Sequence, residues 1–220
     1  ASDFITRTAA QTLSGTISAN LAIGESVEVS LDNGSTWTVA TASTGSNTWS
    51  LSGQTLTGSD TLKVRVVDAA GNAGTVASQA YVLDTTAPTT TIATLVLSND
   101  TGASGTDFIT NTASQTVSGT LSANLASGEI VQVSLDNGLT WSAASATVGQ
   151  KAWSLAGATL HGSNSLCIKV TDAAGNDGAV RTQAYWVDTL APSAPLALDL
   201  ATASDSGPSN TDNVTNQTTP

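Results

Sequence analysis

Val27-Glu28-Val29-Ser30-Leu31-Asp32-Asn33-Gly34 decides the fold. Val27, Val29 and Leu31 alternate with Glu28 and Ser30, the period-two pattern of a strand with one face buried. Asn33-Gly34 then marks a turn. The pattern returns as Val131, Val133 and Leu135 before Asp136-Asn137-Gly138, 104 residues further on. A second set, Leu62, Val64 and Val66 around Lys63 and Arg65, returns as Leu166, Ile168 and Val170. Gly45-Ser46-Asn47, Gly58-Ser59-Asp60 and Gly71-Asn72 mark further turns. No stretch carries a helical period. Short alternating strands with closely spaced turns predict an all-β chain of tandem immunoglobulin-like β-sandwich domains.

The repeat sets the organisation. Ser14–Ala22 returns at Ser118–Ala126, Trp37 and Trp49 at Trp141 and Trp153, and Asp68–Asn72 at Asp172–Asn176. Tyr81 and Asp84 return at Tyr185 and Asp188, all with the 104-residue offset. A third copy opens with Ser204–Asp212, which matches Asn99–Asp107 at an offset of 105. The repeats are therefore read as 1–87, joined part-way in, 88–191, and 192–220 as the start of a third, all cut from a longer array. In the second copy the strands are expected over Thr89–Leu97, Gln115–Ser122, Ile130–Leu135, around Trp141–Ala146 and Ala152–Leu155, Leu166–Thr171 and Ala179–Val187. Asn99–Asn111 is expected to be one long loop. The domains are expected to meet with almost no linker near Pro88.

The chain has 220 residues, 6 Lys+Arg against 17 Asp+Glu, and a net charge of −11. Nucleic-acid binding needs clustered Lys and Arg, which this chain lacks. No apolar run approaches the roughly 18 residues of a membrane-spanning helix, so no direct membrane insertion is expected. Of the acids, 14 are Asp and only Glu25, Glu28 and Glu129 are Glu. Asp favours turns and ligates calcium, whereas Glu dominates where helices are common.

Eleven Asp fall at repeat-matched positions: Asp3, Asp107 and Asp212; Asp32 and Asp136; Asp68 and Asp172; Asp84 and Asp188; Asp100 and Asp205. Most lie in loops at the ends of a sandwich. Stacked in series, copy one would bring Asp84 to the Asp172–Asn176 loop of copy two. Crowded carboxylates repel, and a hard dication held by about six to eight oxygens would remove the repulsion and tie the domains. Within one loop, Asp100 and Asp107 stand seven apart around Gly102, with Ser104 and Thr106 offering further oxygens. Such a loop suits calcium, or equally an acidic surface loop of Asx turns. It matches neither the EF-hand nor the glycine-rich nonapeptide pattern. Asp68–Asn72 alone also reads as a plain β-turn.

Three stretches carry a resemblance: Val67-Asp68-Ala69-Ala70-Gly71-Asn72, Asp84-Thr85-Thr86-Ala87-Pro88, and Asp100-Thr101-Gly102-Ala103-Ser104-Gly105-Thr106-Asp107-Phe108-Ile109-Thr110-Asn111. The chain resembles the immunoglobulin-like extender repeats of large bacterial RTX adhesins, including the roughly 104-residue repeats of a giant ice-binding adhesin. Copy two departs at Leu190 within Asp188–Pro192. The resemblance implies a biofilm or cell-adhesion stalk on the bacterial surface, extracellular, stiffened by Ca2+ and projecting a distal ligand-binding region. It implies calcium ligands at Asp100, Gly102 and Asp107, at Asp205, Gly207 and Asp212, and at the Asp84, Asp172 and Asn176 junction, with Asp3, Asp68, Asn72 and Asp188 as repeat equivalents. The partners would be neighbouring repeats of the same chain, in a monomeric array.

His161 replaces Thr57 in one copy only, which does not suit a repeated ligand or catalytic role. Cys167 replaces Lys63 on the face expected to point outward, so an exposed thiol is expected there. The four repeated tryptophans read as core aromatics. Trp186, in place of Val82, is the better candidate for a surface contact. No enzyme signature is present, no triad and no phosphate loop. A carbohydrate- or protein-binding module and an accessory domain of an exported enzyme remain the alternative readings.

Overall fold

The computed structural model describes residues 3–196, 198–209 and 211–218. The outermost repeat limits, 1 and 220, lie outside the described residues. The chain divides after Asp188 into two units. The first holds two β-sandwiches in series. Copy one runs through β1 (Ile5–Thr6), β2 (Ala10–Thr16), β3 (Ser26–Ser30), β4 (Thr38–Val39), β5 (Thr41–Ala42), β6 (Thr48–Thr55), β7 (Asp60–Val67) and β8 (Ala77–Leu83). Copy two runs through β9 (Ile92–Leu97), β10 (Ile109–Thr110), β11 (Ser114–Leu121), β12 (Ile130–Ser134), β13 (Ser142–Ala143), β14 (Ser145–Ala146), β15 (Ala152–Thr159), β16 (Ser163–Thr171) and β17 (Arg181–Val187).

Each sandwich packs a five-stranded sheet on a smaller one. In copy two the orders are β10-β17-β16-β12-β13 and β14-β15-β11-β9. In copy one they are β1-β8-β7-β3-β4 and β2-β6-β5. The alternating apolar residues do close the core: Val131, Val133, Leu166, Ile168 and Val170 are fully buried between the sheets of copy two, beside Trp153 and Leu160. Such burial is the main favourable term in the fold. Phenols staple each core across its sheet, Tyr81 Oη donating to the Leu31 carbonyl and Tyr185 Oη to Leu135, both at 2.9 Å. Turns follow β3 and β12 where the signals stood, and Asn33, Gly34, Asn137 and Gly138 are all at positive φ within them.

Three expectations are corrected. The Asn99–Asn111 segment is not one loop: it carries β10, which pairs in parallel with β17 (Ile109↔Trp186, Thr110↔Val187). Two residues are too few to show a period, and a parallel partner some 75 positions away leaves no local mark. Cys167 is buried rather than exposed. In β16 both faces are covered, and its Sγ lies 3.7 Å from Thr182 Oγ1. Trp37 and Trp141 are half-buried outside the core, each capped by a cation: Arg65 at 4.0 Å and Lys169 at 4.2 Å from the ring centroid. Trp49 and Trp153 are core residues. The second unit, from Thr189 on, forms no strand among its described residues.

Candidate metal loops and the repeat junction

The Asp100–Asp107 loop folds back on itself around β10. Asp100 Oδ2 accepts from the Phe108 amide at 3.0 Å, and Asp107 Oδ1 from the Ile109 amide at 3.0 Å. Asp107 Oδ2 also accepts from the Ser104 amide at 3.1 Å, and the Gly102 amide donates to the Ile109 carbonyl at 2.8 Å. Phe108 between them is left-handed (φ 61°), a strained setting for an aromatic residue. Its ring is buried in the core, which holds it there. Glycine is required at position 102 because a Cβ there would stand 2.9 Å from the Ile109 carbonyl oxygen as well as 2.7 Å from Asp107 Oδ1. Ser104 and Thr106 hydroxyls meet at 3.1 Å.

One oxygen of this loop is left over. Asp100 Oδ1 is buried and accepts no hydrogen bond. A buried carboxylate oxygen without a donor is costly. The second unit repeats the arrangement. Asp205 Oδ2 accepts from the Asn213 amide, Asp212 Oδ1 from the Val214 amide, and Asn213 is left-handed at φ 58°. A Cβ on Gly207 would lie 2.6 Å from Asp212 Oδ1. Asp205 Oδ1 is likewise buried and unpartnered. In copy one Asp3 Oδ1 accepts from the Ile5 amide, with Phe4 again at positive φ.

The residue set fits a hard, oxygen-seeking cation in this respect: two carboxylates, one with an oxygen facing no donor, beside carbonyls and hydroxyls. Among the described residues no three His, Cys, Asp or Glu side chains gather in one place. Each loop thus offers two carboxylates, and any ion there draws its other oxygens from backbone, hydroxyls or water.

The junction is built differently. Asp172 Oδ1 accepts from the Asn176 amide at 2.8 Å and Oδ2 from Asn176 Nδ2 at 2.9 Å. The same Nδ2 donates to the Asp84 carbonyl of copy one at 2.8 Å. Asp84 Oδ1 accepts from the Thr86 amide. Asp84 and Asn176 are therefore brought together, but by an amide and a carbonyl. Arg7 of copy one donates to the Gly175 carbonyl of copy two. Asp177 also feels Arg7; its carboxyl lies below the ordinary range, chiefly through the Lys169 ammonium at 2.8 Å. Arg7 was not singled out in the sequence. The signal was there: its repeat counterparts are Asn111 and Asn216, and Asp177 replaces Ala73.

The remaining loops are closed Asx turns. Asp68 takes the Ala70 and Asn72 amides and Asn72 Nδ2, and the Asn72 side chain and amide lower its pKa. Asp32 and Asp136 are held down to about 2. Thr36 is the main cause for the first, and Ser134 and Thr140 for the second. The Asp188 amide donates to the Thr110 carbonyl, placing Asp188 where β17 leaves β10.

Sheets, cores and cross-sheet phenols define two tandem immunoglobulin-like β-sandwiches. Residues 10–85 and 86–189 each match a family model described as a bacterial Ig-like domain, and the two repeats are domains of that kind. No curated protein matches the chain. Similar solved structures include fibronectin(III)-like modules of Clostridium thermocellum CbhA, with 13 % identity and a TM-score of 0.48 over 84 % of this chain and 87 % of that one. The BSP domain of a biofilm associated protein shows 15 % identity and a TM-score of 0.29, over 86 % of this chain and 29 % of its own. Chicken CNTN1 FN1-FN3 shows 13 % and 0.48, over 83 % and 64 %.

Proposed function

We propose that the chain is part of a calcium-stiffened stalk of a bacterial surface adhesin, outside the cell, holding a distal ligand-binding region away from the surface. The observation that carries the calcium reading is the recurrence of a buried, unpartnered carboxylate oxygen in two copies of the same loop, at Asp100 and Asp205. Direct domain-to-domain bonds at Asn176 and Arg7 support the stalk reading, since a spacer needs few degrees of freedom at each joint. Calcium, when bound, would supply charge neutralisation and cross-linking; Asp100 and Asp107, and Asp205 and Asp212, would hold it. Extracellular calcium modules bind with Kd around 10⁻⁴–10⁻³ M. At a tenfold excess over Kd each site adds about 1.4 kcal/mol.

Calorimetric calcium titration of the full chain tests this, with Asp107→Ala and Asp212→Ala as controls. Saturable heat in the wild type, lost in the double variant, is expected. A chain whose melting temperature and heats ignore calcium would sink the reading. Trp186, 56 % exposed on β17 beside Ile109, is the one feature that favours a binding module instead. Glycan or protein capture that depends on Trp186 would move the conclusion there.

A further inference from the structure

The Asn-Gly turns that follow β3 and β12 carry a chemistry that a stalk does not use. Glycine has no Cβ to hinder its backbone nitrogen. Once that amide loses its proton, the nitrogen can attack Cγ of the preceding Asn side chain. The new C–N bond closes a succinimide and expels ammonia. Water then opens the ring at either carbonyl, leaving aspartate or isoaspartate. Two neighbours govern the rate: the group that holds the glycine N–H, and the group that polarises the carbonyl of the same peptide bond. Asn33 and Asn137 are both exposed and both left-handed, at φ 56° and 60°.

In each turn a buried serine holds the nucleophile. The Gly34 amide donates to Ser30 Oγ at 2.8 Å, and the Gly138 amide to Ser134 Oγ at 2.8 Å. Ser30 and Ser134 are each 1 % exposed. Their own protons are committed, to Asp32 Oδ1 at 2.7 Å and Asp136 Oδ1 at 2.6 Å, so their lone pairs face the glycine N–H. The far side of each glycine is fixed as well. Trp37 Nε1 donates to the Gly34 carbonyl at 3.1 Å, and Trp141 Nε1 to the Gly138 carbonyl at 3.0 Å. An N–H bonded into the protein is withheld from solvent base until the turn opens.

The carbonyl side differs between the copies. Lys63 Nζ donates to the Asn33 carbonyl at 3.0 Å. That carbonyl and the Gly34 nitrogen belong to one peptide group. A cation on the oxygen therefore stabilises the negative charge left when the N–H ionises. In copy two Cys167 stands at the Lys63 position, with its Sγ 4.0 Å from Asn137 Oδ1. The position that holds an ammonium in copy one thus holds a thiol in copy two.

We propose that Asn33 is a modification site, converted to aspartate and isoaspartate by attack of the Gly34 nitrogen, with Lys63 promoting the reaction and Ser30 restraining it. Asn137 has the restraint, through Ser134, without the promoter. The conversion places a further carboxylate next to Asp32, in a chain whose net charge is already −11.

Peptide mapping of the full chain after ageing at mildly alkaline pH tests this, because it resolves Asn, Asp and isoaspartate at each turn. Asn33 is expected to convert faster than Asn137 in the folded chain. In urea, where both pairs lose their neighbours, the two rates should nearly coincide. Lys63→Gln should bring Asn33 down to the Asn137 rate. Ser30→Ala should speed conversion of Asn33 roughly five- to tenfold, the weight of one hydrogen bond, with Asn137 as internal control. Hydrogen exchange at β3 and β7 amides reports whether copy one of that variant is folded. If it is not, the wild-type Gly34 amide gives the answer, since it exchanges slowly when Ser30 holds it. Equal conversion at Asn33 and Asn137 in the folded chain would overturn the proposal. So would an unchanged rate in Lys63→Gln, or a wild-type Gly34 amide that exchanges as fast as in urea.

Discussion

Replacing Gly119 with Ala sets two backbones against each other. The added Cβ would lie 2.0 Å from the Thr94 oxygen and 2.8 Å from its carbonyl carbon. Ordinary contact begins near 3.4 Å, so β9 must retreat by roughly 1.4 Å, the difference of the two distances. Retreat on that scale takes the neighbouring β9–β11 bonds beyond hydrogen-bond range. It also partly uncovers Ile92, Leu95 and Leu97, each worth about 1.5–3 kcal/mol when fully buried. Losing a third to a half of that burial costs copy two about 3 kcal/mol. The matched change Gly15→Ala comes nearest to the Trp49 ring, at 3.0–3.2 Å, so a shift of a few tenths of an ångström there is set against about 0.4–1 kcal/mol gained from a less flexible unfolded chain. It should stay within about 1 kcal/mol of wild type. Urea unfolding of the dilute chain, followed by hydrogen exchange at β11 and β2 amides, reads the two domains separately. Equal losses at the two glycines would refute the crossing-strand account of position 119.

Four further outcomes are expected. Asp32 and Asp136 have folded pKa values near 2, below the ordinary 3.8, so the stability they contribute is present above pH 4 and lost as pH falls toward 2. Asp136→Asn should flatten that acid limb, and an unchanged acid-denaturation midpoint would deny the linkage. Asp100→Ala removes the unpartnered oxygen, so its melting temperature should fall well below wild type in calcium but only slightly in chelator; equal falls would make Asp100 purely structural. Arg7→Ala should broaden the distance distribution in small-angle scattering in chelator, whereas unchanged curves would make Arg7 a bystander at the junction. Cys167 should resist thiol reagents in the native protein and react promptly in denaturant; fast native labelling would contradict its burial.

How much the sequence revealed depended on whether a signal was periodic. β3, β7, β12 and β16 are visible because one side of each strand alternates with the other, and the 104-residue offset transfers each reading to its twin. Cys167 was misplaced because alternation assumes a wet outer face. In β16 that face is covered by Thr182 and the Asn137 turn, and Lys169 lies under Trp141. β10 was missed because two residues bear no pattern. Acidic loops were legible as loops. Their internal geometry was not: Phe108 at positive φ and the stranded oxygen of Asp100 depend on the loop closing around a core aromatic. At the junction Asn176, which the sequence singled out, donates to the Asp84 carbonyl, and Arg7, which it did not, donates to the Gly175 carbonyl.

The parallel pairing of β10 with β17 has a mechanical consequence. Tension applied to the chain ends of copy two enters from the β9 side and leaves through the end of β17 at Val187. The bonds joining the two strands, from the Trp186 amide to Phe108 and from the Asp188 amide to Thr110, both 2.9 Å, lie across the direction of pull. They are loaded together, in shear, instead of opening one after another like a zip. Copy one repeats the clamp, the Val82 amide donating to Phe4 and the Asp84 amide to Thr6. Each repeat therefore guards its own ends, and a stretched array would yield one whole domain at a time.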